Sequence, residues 1–217
     1  MTTMSDLKNF AVFTVDISSV EQKTSKEGKA YAIACASLPI EKGDPVPVRI
    51  VALDSMAACI VTGQSTLVGR LGYDEKDRQG LLVIYPTKVE PAPSDGKLRN
   101  YIKLTLRAGQ EAESRYSEAG KFWGRVRMAL SQGKDTSGNY KPSLWLTVKG
   151  FTSKEGDETV PLALTKLRKG DLATVTGRLA YEVSTSNGRG YFSLVVYKVE
   201  APQAVQPSAI AEEDCPY

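Results

Sequence analysis

Histidine is missing altogether from the 217 residues, and with it goes the side chain that most often moves protons near neutral pH. Cys35, Cys59 and Cys215 are the only cysteines and show no CxxC spacing. The usual zinc sets are therefore not on offer, and a reduced, cytoplasmic compartment is expected. No stretch approaches the roughly 18 apolar residues of a membrane span, and the polar residues 1–9 lack an apolar signal core, so a soluble protein with no membrane partner is expected. GxSxG, GxxxxGK[ST] and carboxylates grouped at strand ends are absent. Asp74, Glu75 and Asp77 fall in a charged turn, where solvation explains them. The expectation is a non-enzymatic protein with no metal and no cofactor.

Strong net charge is also missing, but the formal +3 hides a division. Residues 94–200 hold 18 Lys and Arg against 11 Asp and Glu, residues 1–93 hold 10 against 11, and Glu212, Glu213 and Asp214 follow. A basic middle thus lies between a neutral head and an acidic end, the distribution expected of a chain that meets phosphates through one part only.

What is present is an internal repeat. Ser25-Lys26-Glu27-Gly28-Lys29-Ala30-Tyr31 recurs as Ser117-Glu118-Ala119-Gly120-Lys121-Phe122-Trp123. Val68-Gly69-Arg70-Leu71-Gly72-Tyr73 recurs as Thr176-Gly177-Arg178-Leu179-Ala180-Tyr181. Leu82-Val83-Ile84-Tyr85 and Lys88-Val89-Glu90 recur as Leu194-Val195-Val196-Tyr197 and Lys198-Val199-Glu200. Strands are expected at 10–17, 31–37, 46–53 and 81–85, then at 101–106, 122–130, 144–151, 173–181 and 191–199, where β-branched and aromatic residues partly alternate with polar ones. A short helix is expected at 161–167, with 54–60 in the same place of the first copy. Five strands with one helix between the third and fourth describe an OB barrel. The fold class expected is all-β: two tandem five-stranded OB barrels at 1–93 and 94–200, linked by 91–96, and a disordered acidic tail at 201–217.

The second copy carries landmarks of a known family. Arg115-Tyr116-Ser117 with Gly120, Trp145-Leu146-Thr147-Val148-Lys149-Gly150-Phe151, Leu167-Arg168-Lys169-Gly170-Asp171 and Thr176-Gly177-Arg178-Leu179 resemble the bacterial and phage single-stranded DNA-binding proteins (SSB). The resemblance spans residues 101–200. It implies a coat for exposed single strands in replication, recombination or repair, a cytoplasmic or nucleoid location (host cytoplasm for a phage protein), and four OB modules per assembly, hence a homodimer. The tryptophan that often opens the family's second hairpin is replaced by Ser131-Gln132-Gly133-Lys134-Asp135, leaving Tyr140 as the aromatic of that loop.

Residue parity selects the face. Trp145, Thr147, Lys149 and Phe151 share one side of a strand whose other side is Leu144, Leu146 and Val148. On the neighbouring strand either Phe122 or Trp123 faces out, and the shared parity of Arg125 and Arg127 favours Trp123. Flat rings for base faces and cations for phosphates are what a single strand requires, so the expected DNA-binding set is Trp123, Arg125, Arg127, Tyr140, Trp145, Lys149, Phe151, Arg178, Arg189 and Tyr191. In the first copy Val48 and Asp54 are matched to Trp145 and Phe151, and a carboxylate at a stacking position repels phosphate. That copy is expected to serve assembly or to bind weakly, with binding through Tyr31, Tyr73 and Tyr85 as the alternative.

The end of the chain, Glu212-Glu213-Asp214-Cys215-Pro216-Tyr217, is either a frayed terminus or a peptide ligand in which carboxylates meet a basic rim and Tyr217 is the anchor. The family resemblance implies the second, with replication, recombination and repair proteins as partners. A replisome or primosome adaptor, whose OB modules mainly make protein contacts, and an RNA-binding protein are the rival functions.

Overall fold

The computed structural model of the protein describes residues 8–40, 45–73, 82–135, 137–183, 188 and 190–200. Among these, eleven strands form one continuous sheet. The first barrel comprises β1 (Asn9–Thr24), β2 (Ala30–Leu38), β3 (Val46–Leu53), β4 (Gly63–Tyr73) and β5 (Leu82–Pro91). β1 pairs with both β2 and β4, and a parallel β3–β5 pair completes the ring. The second comprises β6 (Asn100–Ala108), β7 (Glu113–Tyr116), β8 (Phe122–Leu130), β9 (Leu144–Phe151), β10 (Leu172–Val183) and β11 (Gly190–Glu200). Here β6 pairs with β10 and β8, and β9–β11 is the parallel pair. Two tandem OB barrels are the result, as expected.

Strict alternation explains why the central strands form where they do. In β9 Leu144, Leu146 and Val148 are buried while Trp145 and Phe151 are exposed, so one face joins the core and the other stays open. Removing each large apolar side chain from water contributes about 1.5–3 kcal/mol, an upper bound because the unfolded chain is itself partly compact. Helix α1 (Thr159–Thr165) closes the second barrel. It comes close because Gly124 and Gly150 face each other in β8 and β9, and a Cβ on Gly150 would press against Val160 and Leu164. A 3₁₀ turn, Asp54–Cys59, takes this place in the first barrel.

The repeat is visible in bonds as well as in letters. Asn9 bonds both backbone groups of Leu71 through its side chain at 2.9 Å, and Asn100 does the same to Leu179 at 2.9 and 2.8 Å. The Thr14 and Thr66 hydroxyls meet at 3.4 Å, those of Thr105 and Thr174 at 2.9 Å. Bulges fall at Val68/Gly69 and Thr176/Gly177. At these bulges a Cβ on Gly69 would run into the Tyr85 carbonyl oxygen, and one on Gly177 into that of Val195. The hairpins at Ser25 and Ser117 close with the same three bonds, and Gly28 and Gly120 take φ of 79° and 71°, which glycine adopts readily.

The barrels join through β1 and β6, antiparallel, with Ala11 opposite Ile102. These are equivalent positions, so a pseudo-twofold axis passes between them. The bonds around it are reciprocal: Thr14 N to Arg99 O and Arg99 N to Thr14 Oγ1 (2.8 and 2.9 Å), against Thr105 N to Lys8 O and Lys8 N to Thr105 Oγ1 (2.7 and 2.9 Å).

Several expectations shift. β1 runs to Thr24 as one bent strand with a bulge between Ile17 and Ser19, whereas the second barrel breaks the same path into β6 and β7, a strand the sequence pattern did not suggest. The link is 92–99, because β5 continues through Pro91. The helix lies two residues earlier than expected. The bulge register also sets Tyr85 opposite Arg70 and Val195 opposite Arg178, so Tyr85 matches Val195 and not Tyr197.

Candidate nucleic-acid interface

The outer face of β8, β9, β11 and β10 in the second barrel gathers most of the residues singled out above. Across β8 and β9, Trp123 faces Phe151, Arg125 faces Lys149, Arg127 faces Thr147 and Ala129 faces Trp145. Phe122 is buried, which settles that Trp123 points outward. Trp123 and Phe151 stack with centroids 5.9 Å apart and planes 23° apart. Trp145, six residues from Phe151 and therefore roughly 20 Å along the strand, has the Arg127 guanidinium 5.4 Å from its centroid. Both Trp145 and Phe151 are nearly half exposed, at 48% and 46%. On β11 the exposed Tyr191 lies opposite Glu182 of β10, and Arg178 is exposed opposite Val195.

The Trp145 ring has its place because of a glycine. A Cβ on Gly109, in the break between β6 and β7, would overlap the indole, and the Gly109 N–H donates to the Arg127 carbonyl at 2.9 Å. A residue in the break of the barrel's first strand therefore both seats a ring and ties down the strand carrying the cation above it.

Two of the cations are held by carboxylates. Glu113 accepts from Arg125 Nε and Nη2 at 3.0 and 2.8 Å and lies 3.5 Å from Arg115. The hydrogen bond from Arg125 and the charges of Arg125 and Arg115 hold its carboxyl below the usual carboxylate range. Lys149 donates to both oxygens of Glu182 at 2.6 and 2.7 Å. Gly109, Glu113 and Glu182 were not singled out from sequence. Gly109 is a lone glycine after a strand pattern, and neither glutamate shows its partner until the strand order is known.

Of the expected set, Trp123, Arg125, Arg127, Trp145, Lys149, Phe151, Arg178 and Tyr191 share this face. Tyr140 stands apart on the β8–β9 hairpin, bridged to Lys134, whose Nζ lies 4.8 Å from its ring centroid. Arg189 and the tip Glu212, Glu213, Asp214, Cys215, Pro216 and Tyr217 lie outside the described residues.

The corresponding face of the first barrel is different. β2 and β3 set Tyr31 opposite Leu53, Ile33 opposite Val51, Cys35 opposite Arg49 and Ser37 opposite Pro47. The positions equivalent to Trp145 and Phe151 are therefore Pro47 and Leu53. The match to Val48 and Asp54 is corrected: Val48 is buried, and Asp54 begins the 3₁₀ turn with φ 51°. No carboxylate occupies a stacking position. Tyr31, Leu53 and Asp54 instead line a shallow cleft of about 420 Å³ with Lys26, Glu27 and Lys29 of the β1–β2 hairpin. Gln132, after β8, reaches across to Gly72, where a Cβ would meet both its Oε1 and the Tyr85 ring. No helix among the described residues is long and apolar enough to cross a membrane.

No protein-family model matches the sequence, and no curated protein does. Solved structures do. A deletion mutant of the single-stranded DNA binding protein from Thermus aquaticus is similar at TM-score 0.63 and 18% identity, covering 95% of this chain and 100% of that one. The wild-type protein from the same organism is similar at TM-score 0.61 and 19% identity, covering 91% and 94%. The fold of this chain is thus similar, over nearly its whole length, to that of the Thermus aquaticus protein.

Proposed function

We propose that this chain is a non-enzymatic single-stranded DNA-binding protein of the SSB type, with the outer face of the second barrel as its main binding surface. The observation that carries the reading is the array Trp123/Phe151, Arg125/Lys149, Arg127/Thr147 and Trp145 on one open face. Rings at either end stack on bases without regard to sequence, and the cations between them meet the backbone. The fold shared with the Thermus aquaticus protein supports the same reading.

The units are residues 1–93 for assembly or weak binding, 94–200 for the main site, and 201–217 as a tether whose tip, Glu212 to Tyr217, captures replication, recombination or repair proteins. Two chains pair to give four OB modules. The apolar surface beside the pseudo-twofold axis suits that role: Phe10 is exposed, packs edge-on to Tyr101 at 6.1 Å, and stands on the outer face of the joined sheet. The cytoplasm, at exposed DNA, is the expected location.

An adaptor function gains support from one observation, the aliphatic face of the first barrel, where Leu53 is exposed beside Val51 and Ile33. Both tryptophans of the chain stand on the second barrel's face, so their fluorescence reports on that face alone. Titration of the full chain with oligo-dT is expected to quench it to a sharp stoichiometric end point. Unchanged fluorescence with no binding by anisotropy would leave the adaptor reading. Stronger quenching by oligo-rU would move the substrate to RNA.

A further inference from the structure

The ion pair between Lys149 and Glu182 takes an unusual route. The sheet order is β10–β11–β9, so residues on β9 and β10 flank β11 and do not touch along their backbones. Lys149 is level with Val195 of β11, and Glu182 is level with Tyr191. Two strand spacings and four residues separate the two backbones, about 16 Å on the diagonal. Both side chains must extend over β11 to meet, and the residue midway beneath them is Ser193.

Ser193 is a buried residue beneath that span. Its neighbours in register are Thr147 and Ala180, and it belongs to the outward parity of β11, with Leu194 and Val196 buried on the other side. Ser193 is only 3% accessible, and Val83 at the equivalent place of the first barrel is buried too, so the position is a covered one that holds a hydroxyl in this barrel alone. Its hydroxyl has no hydrogen-bond partner, which is costly for a buried polar group. The lysine above it is likewise drawn down, its side chain 17% accessible against 59% for the glutamate.

We propose that Lys149, Ser193 and Glu182 form a latched phosphate subsite. In the DNA-free protein the Glu182 carboxylate holds the place of a phosphodiester on the Lys149 ammonium. A backbone phosphate of the bound strand takes over the ammonium, Glu182 swings to solvent, and the uncovered Ser193 hydroxyl donates to the same phosphate. The bidentate ion pair and the buried, unpartnered hydroxyl are two separate observations, and one exchange would engage both. The first barrel has no such device: Val51 and Val83 stand at the positions of Lys149 and Ser193. The inference rests on the proposed DNA-binding function and adds a switch to one part of its surface.

The test uses the full chain, fluorescein-labelled oligo-dT and anisotropy over a range of salt. Glu182→Gln is expected to bind about fivefold more tightly at low salt, the factor corresponding to removal of one modest ion-pair competitor. It should also show a steeper salt dependence, since salt no longer helps to open the latch. In the Lys149→Gln background the same substitution should give no gain, a non-additivity that marks direct coupling. Ser193→Ala should bind more weakly with melting temperature unchanged or raised, because the hydroxyl is unpartnered without DNA. A gain that persists without Lys149 would reduce the effect to bulk charge and overturn the latch. Wild-type binding with no gain in Glu182→Gln would overturn it too. Absence of wild-type binding would instead remove the function on which it rests, and the latch with it.

Discussion

The two barrels agree where their backbones must close and differ where they face solvent. Inside, Asn9 and Asn100, the threonine pairs, and Gly69 and Gly177 make the same contacts. Outside, Tyr31, Ile33, Cys35, Pro47, Val51 and Leu53 stand where Trp123, Arg125, Arg127, Trp145, Lys149 and Phe151 stand in the other copy. A closed barrel tolerates little change at a bulge or a strand-end cap, because a buried backbone group left unpaired costs the whole barrel. The outer face carries no such constraint, and one framework can present mostly aliphatic residues with Tyr31 and Arg49 on β2 and β3 of one barrel and an array of rings and cations on β8 and β9 of the other.

The shared part of the comparison should break most violently. Gly69→Ala and Gly177→Ala each force a Cβ into a carbonyl oxygen across the bulge, and each is expected to cost roughly 3 kcal/mol or more of stability by urea unfolding. A small cost at one site and a large one at the other would mean that the two frameworks are not equivalent. The divergent part should break through binding. Trp145→Ala and Phe151→Ala are each expected to weaken oligo-dT binding by about 1–3 kcal/mol while the melting temperature hardly moves, since both rings are half exposed. A loss of folding without loss of affinity in the folded fraction would make the rings core.

Gly109→Ala sharpens the same point without touching the face itself. The added methyl pushes the Trp145 indole from its seat, so affinity should fall by about as much as a partial loss of that stack, roughly 1 kcal/mol. Arg125→Gln removes one cation and should make the log–log salt slope shallower by roughly 0.7; an unchanged slope would mean that Glu113 keeps Arg125 from DNA. Deleting residues 212–217 should have the smallest effect on DNA, a slight tightening at low salt that disappears as salt screens the carboxylates.

How much of this could be read in the chain depends on the kind of information each feature carries. β3, β8 and β9 were legible to the residue because alternation runs through their whole length. The outward sides of Trp145 and Phe151 followed from the same parity. β7, with the polar sequence Glu113-Ser114-Arg115-Tyr116, offered no apolar period and is held by pairing to β8. Val48 and Asp54 were mismatched by a single residue, because a motif count does not see which residues pair, and one position along a strand moves a side chain to the other face. The Lys149–Glu182 pair and the buried Ser193 hydroxyl depend on a parallel β9–β11 contact between distant segments. No local pattern encodes that.

The contrast between the barrels is tested most directly by two double substitutions in the full chain, compared at one salt concentration by anisotropy of labelled oligo-dT. Trp145→Ala with Phe151→Ala is expected to weaken binding by about a hundredfold, as two lost stacks imply. Tyr31→Ala with Leu53→Ala is expected to stay within about threefold of the unchanged protein, because Tyr31 is the one ring on β2 and β3 of that face and its neighbours there are mostly aliphatic. Equal losses from the two pairs, or a larger loss from the first barrel's pair, would contradict the assignment of the binding face to the second barrel.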